Sequence, residues 1–321
     1  MSVVKNPVIK NNLAFVFSGQ GSQKIGMLSE MAEANELVKE TFSEASKVLG
    51  YDLWDLCQKG DQEKINQTEI TQPLMLTSSV ALWRVWQQKD GVQPAWMAGH
   101  SLGEWSALVC SGVVQFTDAV DLVKNRGAFM QQAVPKGHGA MAAVLGIEDE
   151  KIKEICKEAS SIGVVEPVNF NSPGQVVIAG NVNAVDKAIE LLKAAGCKRA
   201  MPLPVSAPFH TSLMKPAAEK MAQLIDKTTF HTPKTPIVHN YHAQTESDPQ
   251  KIKQLMIKQI DNPVLWVDCI QTLVKKGVNI TVECGPGSVL CGLSKRIEKS
   301  LESYALETPA NFQVAIEALN K

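Results

Sequence analysis

No segment of this 321-residue chain is apolar for long enough to cross a bilayer, and the apolar run near its start, Leu13–Phe17, is only strand-sized. The first residues also lack the basic start and long apolar stretch of a leader. A cytoplasmic protein without membrane attachment is therefore the expectation. Neither sign of charge is in excess: 32 Lys and Arg face 33 Asp and Glu, for a formal net charge of -1. That balance gives no overall attraction to nucleic acid or an anionic membrane. Seven cysteines, an odd number, are scattered along the chain without a C-x-x-C, so reduced thiols are expected and a disulfide framework or zinc site is not. Phosphate-binding glycine signatures are incomplete. "GQGSQK" at 19–24 has Lys24 where a dinucleotide fingerprint has its third glycine, and no G-K-[ST] occurs.

What is present is a globular composition, 45% hydrophobic and 20% charged, with length enough for a large domain and a small one. Leu13–Phe17, Ala95–Ala98, Ile237–His239 and 279–284 read as strands. Helical spacing covers 29–49, 72–88 with Pro73 near its start, 102–110, 117–134 with Thr117 as its cap, and 148–160. It returns over 182–195, from about 212, and over 249–259, 264–276 and 288–300. Strands alternating with helices predict a mostly parallel sheet covered on both faces. Between 137 and 205 the order is βαββαβ, the ferredoxin-like arrangement. The expected organisation is a large α/β subdomain from 1–136 and 206–321, interrupted by a small ferredoxin-like one at 137–205.

"MAGHSLGEW" at 97–105 places Ser101 between Gly99 and Gly103, the G-x-S-x-G spacing of a nucleophile elbow. Chance alone supplies such a match in about one chain in ten of this length, so context must decide. The context is right: a strand precedes the serine and a helix follows it. A serine nucleophile needs a base. Among six histidines, His210 follows the proline-stiffened "PLPVSAPF", which can hold a side chain at a fixed point. His100 should point away from the serine, and His231, His239 and His242 read as solvated or capping residues. No aspartate between Ser101 and His210 ends a strand, which favours a Ser–His pair oriented by a neutral group such as a backbone carbonyl. Arg126 lies in an apolar helical stripe with Ala119, Val123 and Met130. A buried guanidinium needs an anionic partner. That partner is either a structural Asp or Glu or a carboxylate on the acyl group carried by Ser101. The amides of the "GQG" turn and of Leu102 can serve an oxyanion.

"FVFSGQGSQKIGM", "AGHSLGEWSAL", "NRGAFMQ", "NFNSPGQVVIAG", "VSAPFHTSLM", "QIDNPVLW" and "ECGPGSVLCGL" occur in this order. Together they resemble the malonyl-CoA:acyl carrier protein transacylases of dissociated bacterial fatty acid synthesis, over about 13 to 297. The resemblance implies a hydrolase-like α/β core with the inserted ferredoxin-like lobe. It implies Ser101 as nucleophile, His210 as its base and Arg126 as binder of the malonyl carboxylate. It further implies Gln20 and Leu102 as oxyanion amides, and Gln259 as the residue whose backbone carbonyl orients the histidine. Ser18 stands where the family often has proline, which alters turn stiffness and not chemistry. Phe209 resembles versions that take malonyl over branched acyl groups. Malonyl-CoA and acyl carrier protein are the implied partners, with ping-pong transfer and no metal or bound organic cofactor. A monomer is expected. The alternatives are a serine hydrolase or thioesterase acting on an acyl-CoA, and a glycine-turn nucleotide binder.

Overall fold

The computed structural model describes residues 8–205 and 207–320. Residues 1–7 and the expected return to the large subdomain at 206 lie outside these residues. Nine strands form two sheets among the described residues. The first sheet contains β1 (Ile9–Phe17), β2 (Gln93–Gly99), β7 (Ile237–Val238), β8 (Ile280–Glu283) and β9 (Glu302–Ala305), in the order β7-β2-β1-β8-β9. Every pairing in it is parallel. The second contains β3 (Gly139–Leu145), β4 (Val165–Ser172), β5 (Gln175–Asn181) and β6 (Arg199–Pro202), antiparallel in the order β4-β5-β3-β6. With its two helices, Asp149–Ala159 and Val182–Ala194, the second sheet has the ferredoxin-like order expected. The fold class is therefore the one the strand and helix alternation predicts.

Strand β1 shows why the parallel sheet is central. Leu13, Phe15 and Phe17 enter the core on one face, and Ala14 and Val16 enter a second core on the other. All five are fully buried, as a strand covered on both faces requires. Phe17 pairs with Gly99, so β1 and β2 end side by side at the centre of the sheet. Side chains just beyond them meet at the carboxyl edge, where open α/β sheets place their sites.

Several local expectations are corrected. The helix expected over 29–49 is two, Ser29–Ala34 and Leu37–Leu49. Asn35 breaks it by turning extended, and its side chain accepts from the Leu37 amide. The next long helix starts at Thr68 and not at 72, leaving Pro73 inside it. Burial of nearly every residue from Thr71 to Trp86 holds that turn despite the missing amide. Thr117 is not a cap: the helix is Phe116–Gln132, with Gln115 at the cap position and no side-chain cap bond. Two short helices, Leu53–Lys59 and Gln62–Ile65, the strand β9 and a final helix Pro309–Leu319 were not expected. Among the described residues no helix is long and apolar enough to cross a membrane.

Candidate active site

The serine sits on a backbone that few side chains adopt. Ser101 has φ 51° and ψ -107°, between the end of β2 and the helix Leu102–Cys110. Its flanking glycines allow the turn to pack this tightly. A Cβ on Gly103 would lie 2.0 Å from the Phe17 carbonyl oxygen, and one on Gly99 would lie 2.0 Å from the Gly103 carbonyl. The helix thus rests directly on the ends of β1 and β2. Three bonds hold the turn. The Ser101 amide donates to Asn240 Oδ1 at 2.8 Å, Asn240 Nδ2 donates to the Gly99 carbonyl at 2.7 Å, and Gln259 Nε2 donates to the Ser101 carbonyl at 2.9 Å. A strained residue persists only where its surroundings over-determine it, as they do here.

His210 reaches the serine from the segment that leaves the small sheet. Its Nε2 lies 2.7 Å from Ser101 Oγ, and its Nδ1 lies 2.8 Å from the Gln259 carbonyl oxygen. A carbonyl only accepts, so Nδ1 carries the proton and Nε2 is left to accept from the serine hydroxyl. Burial, then the nearby charge of Arg126, lowers the His210 pKa from 6.5 to about 3. The ring therefore stays neutral, as a base must be, well below ordinary histidine pH. For malonylation of Ser101 by the free enzyme, the acid limb of kcat/KM should consequently fall far below pH 6.5. In Arg126→Ala the limb should move up toward 6.5, because the second-largest of the causes that lower it is gone. A stopped-flow pH profile from 4.5 to 8 measures both; a wild-type limb near 6.5 would contradict the geometry.

Arg126 is 1% exposed and has no ion pair among the described residues. Its Nη1 donates to Gln72 Oε1 at 2.9 Å and its Nη2 to Gln259 Oε1 at 2.9 Å, both neutral oxygens. Nη2 is also 3.3 Å from Ser101 Oγ, and Nε has no partner among the described residues. Burial lowers the guanidinium pKa to about 10, opposed by Glu104, so the group is still cationic near neutral pH. Among the described residues no Asp or Glu forms the direct ion pair that the sequence left open; Glu104 acts on the guanidinium only at a distance.

These groups face a cavity of about 500 Å³ between the two sheets. Gln20 and Leu102 line it beside Ser101, Gln20 on the turn after β1 and Leu102 at the first position of its helix, where backbone amides point outward. Among the described residues, Arg126 is the one Asp, Glu, Lys or Arg in its wall, and Ser101 is the one side-chain nucleophile besides the two histidines. His100 does not simply turn away. Its Nε2 bonds Asn171 Oδ1 at 2.7 Å across to the small sheet, and the residue remains part of the wall. His239 is neither solvated nor capping: it is fully buried, with Nδ1 2.7 Å from Glu104 Oε1. Sequence reasoning missed Gln72, Glu104 and Asn240, and the side-chain role of Gln259. Among the described residues no group of three or more His, Cys, Asp or Glu could hold a metal ion.

A hydroxyl on a strained elbow, a neutral histidine held by a carbonyl and a buried cation awaiting an anion together make acyl-transfer equipment. Residues 14–311 indeed match the acyl transferase domain family. A malonyl CoA-acyl carrier protein transacylase from Salmonella typhimurium is 54% identical over 303 residues, covering 94% of this chain and 98% of that protein. The crystal structure of a malonyl-CoA:acyl carrier protein transacylase from Xanthomonas oryzae pv. oryzae superposes with a TM-score of 0.96 at 48% identity, over 97% of this chain and 99% of that one. A malonyl-transacylase solved in complex with its type II PKS acyl-carrier protein gives 0.95 at 50% identity, over 96% and 99%. The chain belongs to the malonyl CoA-acyl carrier protein transacylase family, a branch of the acyl transferases.

Proposed function

We propose that this protein moves a malonyl group from malonyl-CoA to the phosphopantetheine thiol of an acyl carrier protein through a malonyl-Ser101 intermediate, supplying extender units for fatty acid synthesis. One observation carries the reading: a buried guanidinium that makes no direct ion pair among the described residues, 3.3 Å from the serine oxygen. Such a cation favours an acyl group that ends in a carboxylate. His210 takes the Ser101 proton on Nε2 as Oγ attacks the thioester carbonyl. The oxyanion is met by the amides of Gln20 and Leu102. Arg126 holds the free carboxylate, and Gln259 fixes the imidazole through its carbonyl. Proton return from His210 lets the CoA thiol leave, and the carrier thiol then repeats the steps in reverse. These steps call on no metal or bound organic cofactor. The remaining parts of the proposal are a monomer, acting in the cytoplasm.

Intact mass spectrometry tests this. Incubation with malonyl-CoA should add one malonyl group to the protein, and holo acyl carrier protein should discharge it onto itself. An adduct lost equally fast to water with no carrier present would mark a thioesterase. No adduct at all would remove the serine intermediate.

A further inference from the structure

Beneath the elbow lies a buried carboxylate that the proposed chemistry does not use. Glu104, in the first turn of the helix Leu102–Cys110, is 1% exposed. It gathers three donors. His239 Nδ1 meets Oε1 at 2.7 Å, while the Asn240 amide at 3.2 Å and Gln259 Nε2 at 2.7 Å meet Oε2. Gln259 thus stands between Glu104 and Arg126, whose Nη2 donates to its Oε1 at 2.9 Å. A carboxylate has no donor and a guanidinium no acceptor. The Gln259 amide therefore has one permitted orientation, with Nε2 toward Glu104 and Oε1 toward Arg126. We propose that Glu104 is a positioning residue that locks the Gln259 amide, thereby aims the Arg126 guanidinium at the acyl carboxylate, and so sets the preference for carboxylated over plain acyl groups.

The inference rests on Arg126 as the carboxylate clamp. Electrostatics act in the same sense, since Glu104 opposes the loss of the Arg126 proton that burial favours. In Glu104→Gln the side chain keeps its volume, loses its charge and gains a donor. The Ser101 carbonyl still accepts from Gln259 Nε2, but the charged acceptor at 2.7 Å is gone. Where the new NH2 faces Nε2 the contact is donor against donor, so the amide that Arg126 donates to is held less firmly.

Transfer to carrier protein should be measured for malonyl-CoA and acetyl-CoA in wild type, Glu104→Gln, Arg126→Ala and the double variant. With a charge-assisted contact disordered, malonyl kcat/KM should fall about tenfold or more in Glu104→Gln, mainly through KM, and acetyl transfer should stay within about threefold. The double variant should be no worse on malonyl than Arg126→Ala alone. Equal losses on both acyl groups, no loss on malonyl, or full additivity in the double variant would overturn the proposal. Should Glu104→Gln not fold, Glu104→Asp keeps the charge but draws the carboxylate one methylene back from Gln259 Nε2, and it leaves every Gln259 contact to Ser101 and His210 in place. It must then show the same malonyl-specific loss, and a uniform loss overturns the idea. Failure of the clamp reading looks different: Arg126→Ala would itself lose equally on both substrates.

Discussion

Ser101→Ala should give no malonyl adduct by intact mass, and malonyl transfer to carrier protein should fall by about 10⁴-fold or more, the scale on which covalent catalysts lose activity with their nucleophile. The magnitude follows from the wall of the cavity. Among the described residues it contains no Cys, Thr, Lys, Asp or Glu that could replace the missing oxygen, and its other titratable groups are His100, Arg126 and His210. His100 is committed to Asn171, and burial lowers its pKa. The loss is not one of folding. Alanine at φ 51° keeps the strained backbone of the elbow, and the bonds from Asn240 and Gln259 are to backbone groups that alanine also has. Its melting temperature should therefore stay near wild type. Ser101→Gly sharpens the distinction. It should be as inactive as alanine, but it relieves a conformation that costs a non-glycine residue about 1–3 kcal/mol, and it should melt at least as high as wild type. Transfer retained in either variant above about one per cent of wild type would remove Ser101 as the acyl carrier.

Which parts of this site could be read from the sequence follows from how far each residue's meaning depends on contacts. Ser101 was legible because the elbow is local: strand, two glycines and helix all lie within Gln93–Cys110. His210 was legible by elimination among six histidines, and Arg126 because a charge inside an apolar helical stripe is anomalous on its own element. The ferredoxin-like lobe was legible because its strands and helices are consecutive and strongly periodic. Glu104 carried no such signal. On its helix it reads as an ordinary polar residue, and its partners His239, Asn240 and Gln259 lie 135, 136 and 155 positions away. Asn240 reads as a loop residue, although its side chain bonds both sides of the elbow. Strand β9, "ESYA" at the edge of the sheet, lacks an apolar run because one side of it has no neighbouring strand. Pro73 reads as a helix start by local rule, and only the burial of the surrounding turns shows why it lies inside.

Arg126→Ala should separate the two acyl substrates. Truncating one member of a buried, hydrogen-bonded charge pair costs about 2–5 kcal/mol, which at about 1.4 kcal/mol per decade is a fall of roughly 30- to 3,000-fold in malonyl kcat/KM. Acetyl carries no carboxylate and gains nothing from the cation, so this loss does not apply to it. Two effects push acetyl the other way. In wild type an acetyl methyl must lie beside a desolvated guanidinium whose anionic partner is absent, and alanine removes that charge. Arg126 also depresses the His210 pKa, second only to burial; without it the imidazole becomes a stronger base while remaining largely neutral at pH 7. Acetyl transfer should thus be unchanged or faster. The variant should also fold, since it frees Gln72 Oε1 and Gln259 Oε1 to meet water in an enlarged cavity and leaves no buried cation behind. Parallel steady-state kinetics with malonyl-CoA and acetyl-CoA read the outcome. A selectivity that collapses or inverts makes Arg126 the carboxylate clamp. An equal loss on both would mean that the guanidinium only braces Gln72 and Gln259, and that the preference for a carboxylated acyl group resides elsewhere in the cavity.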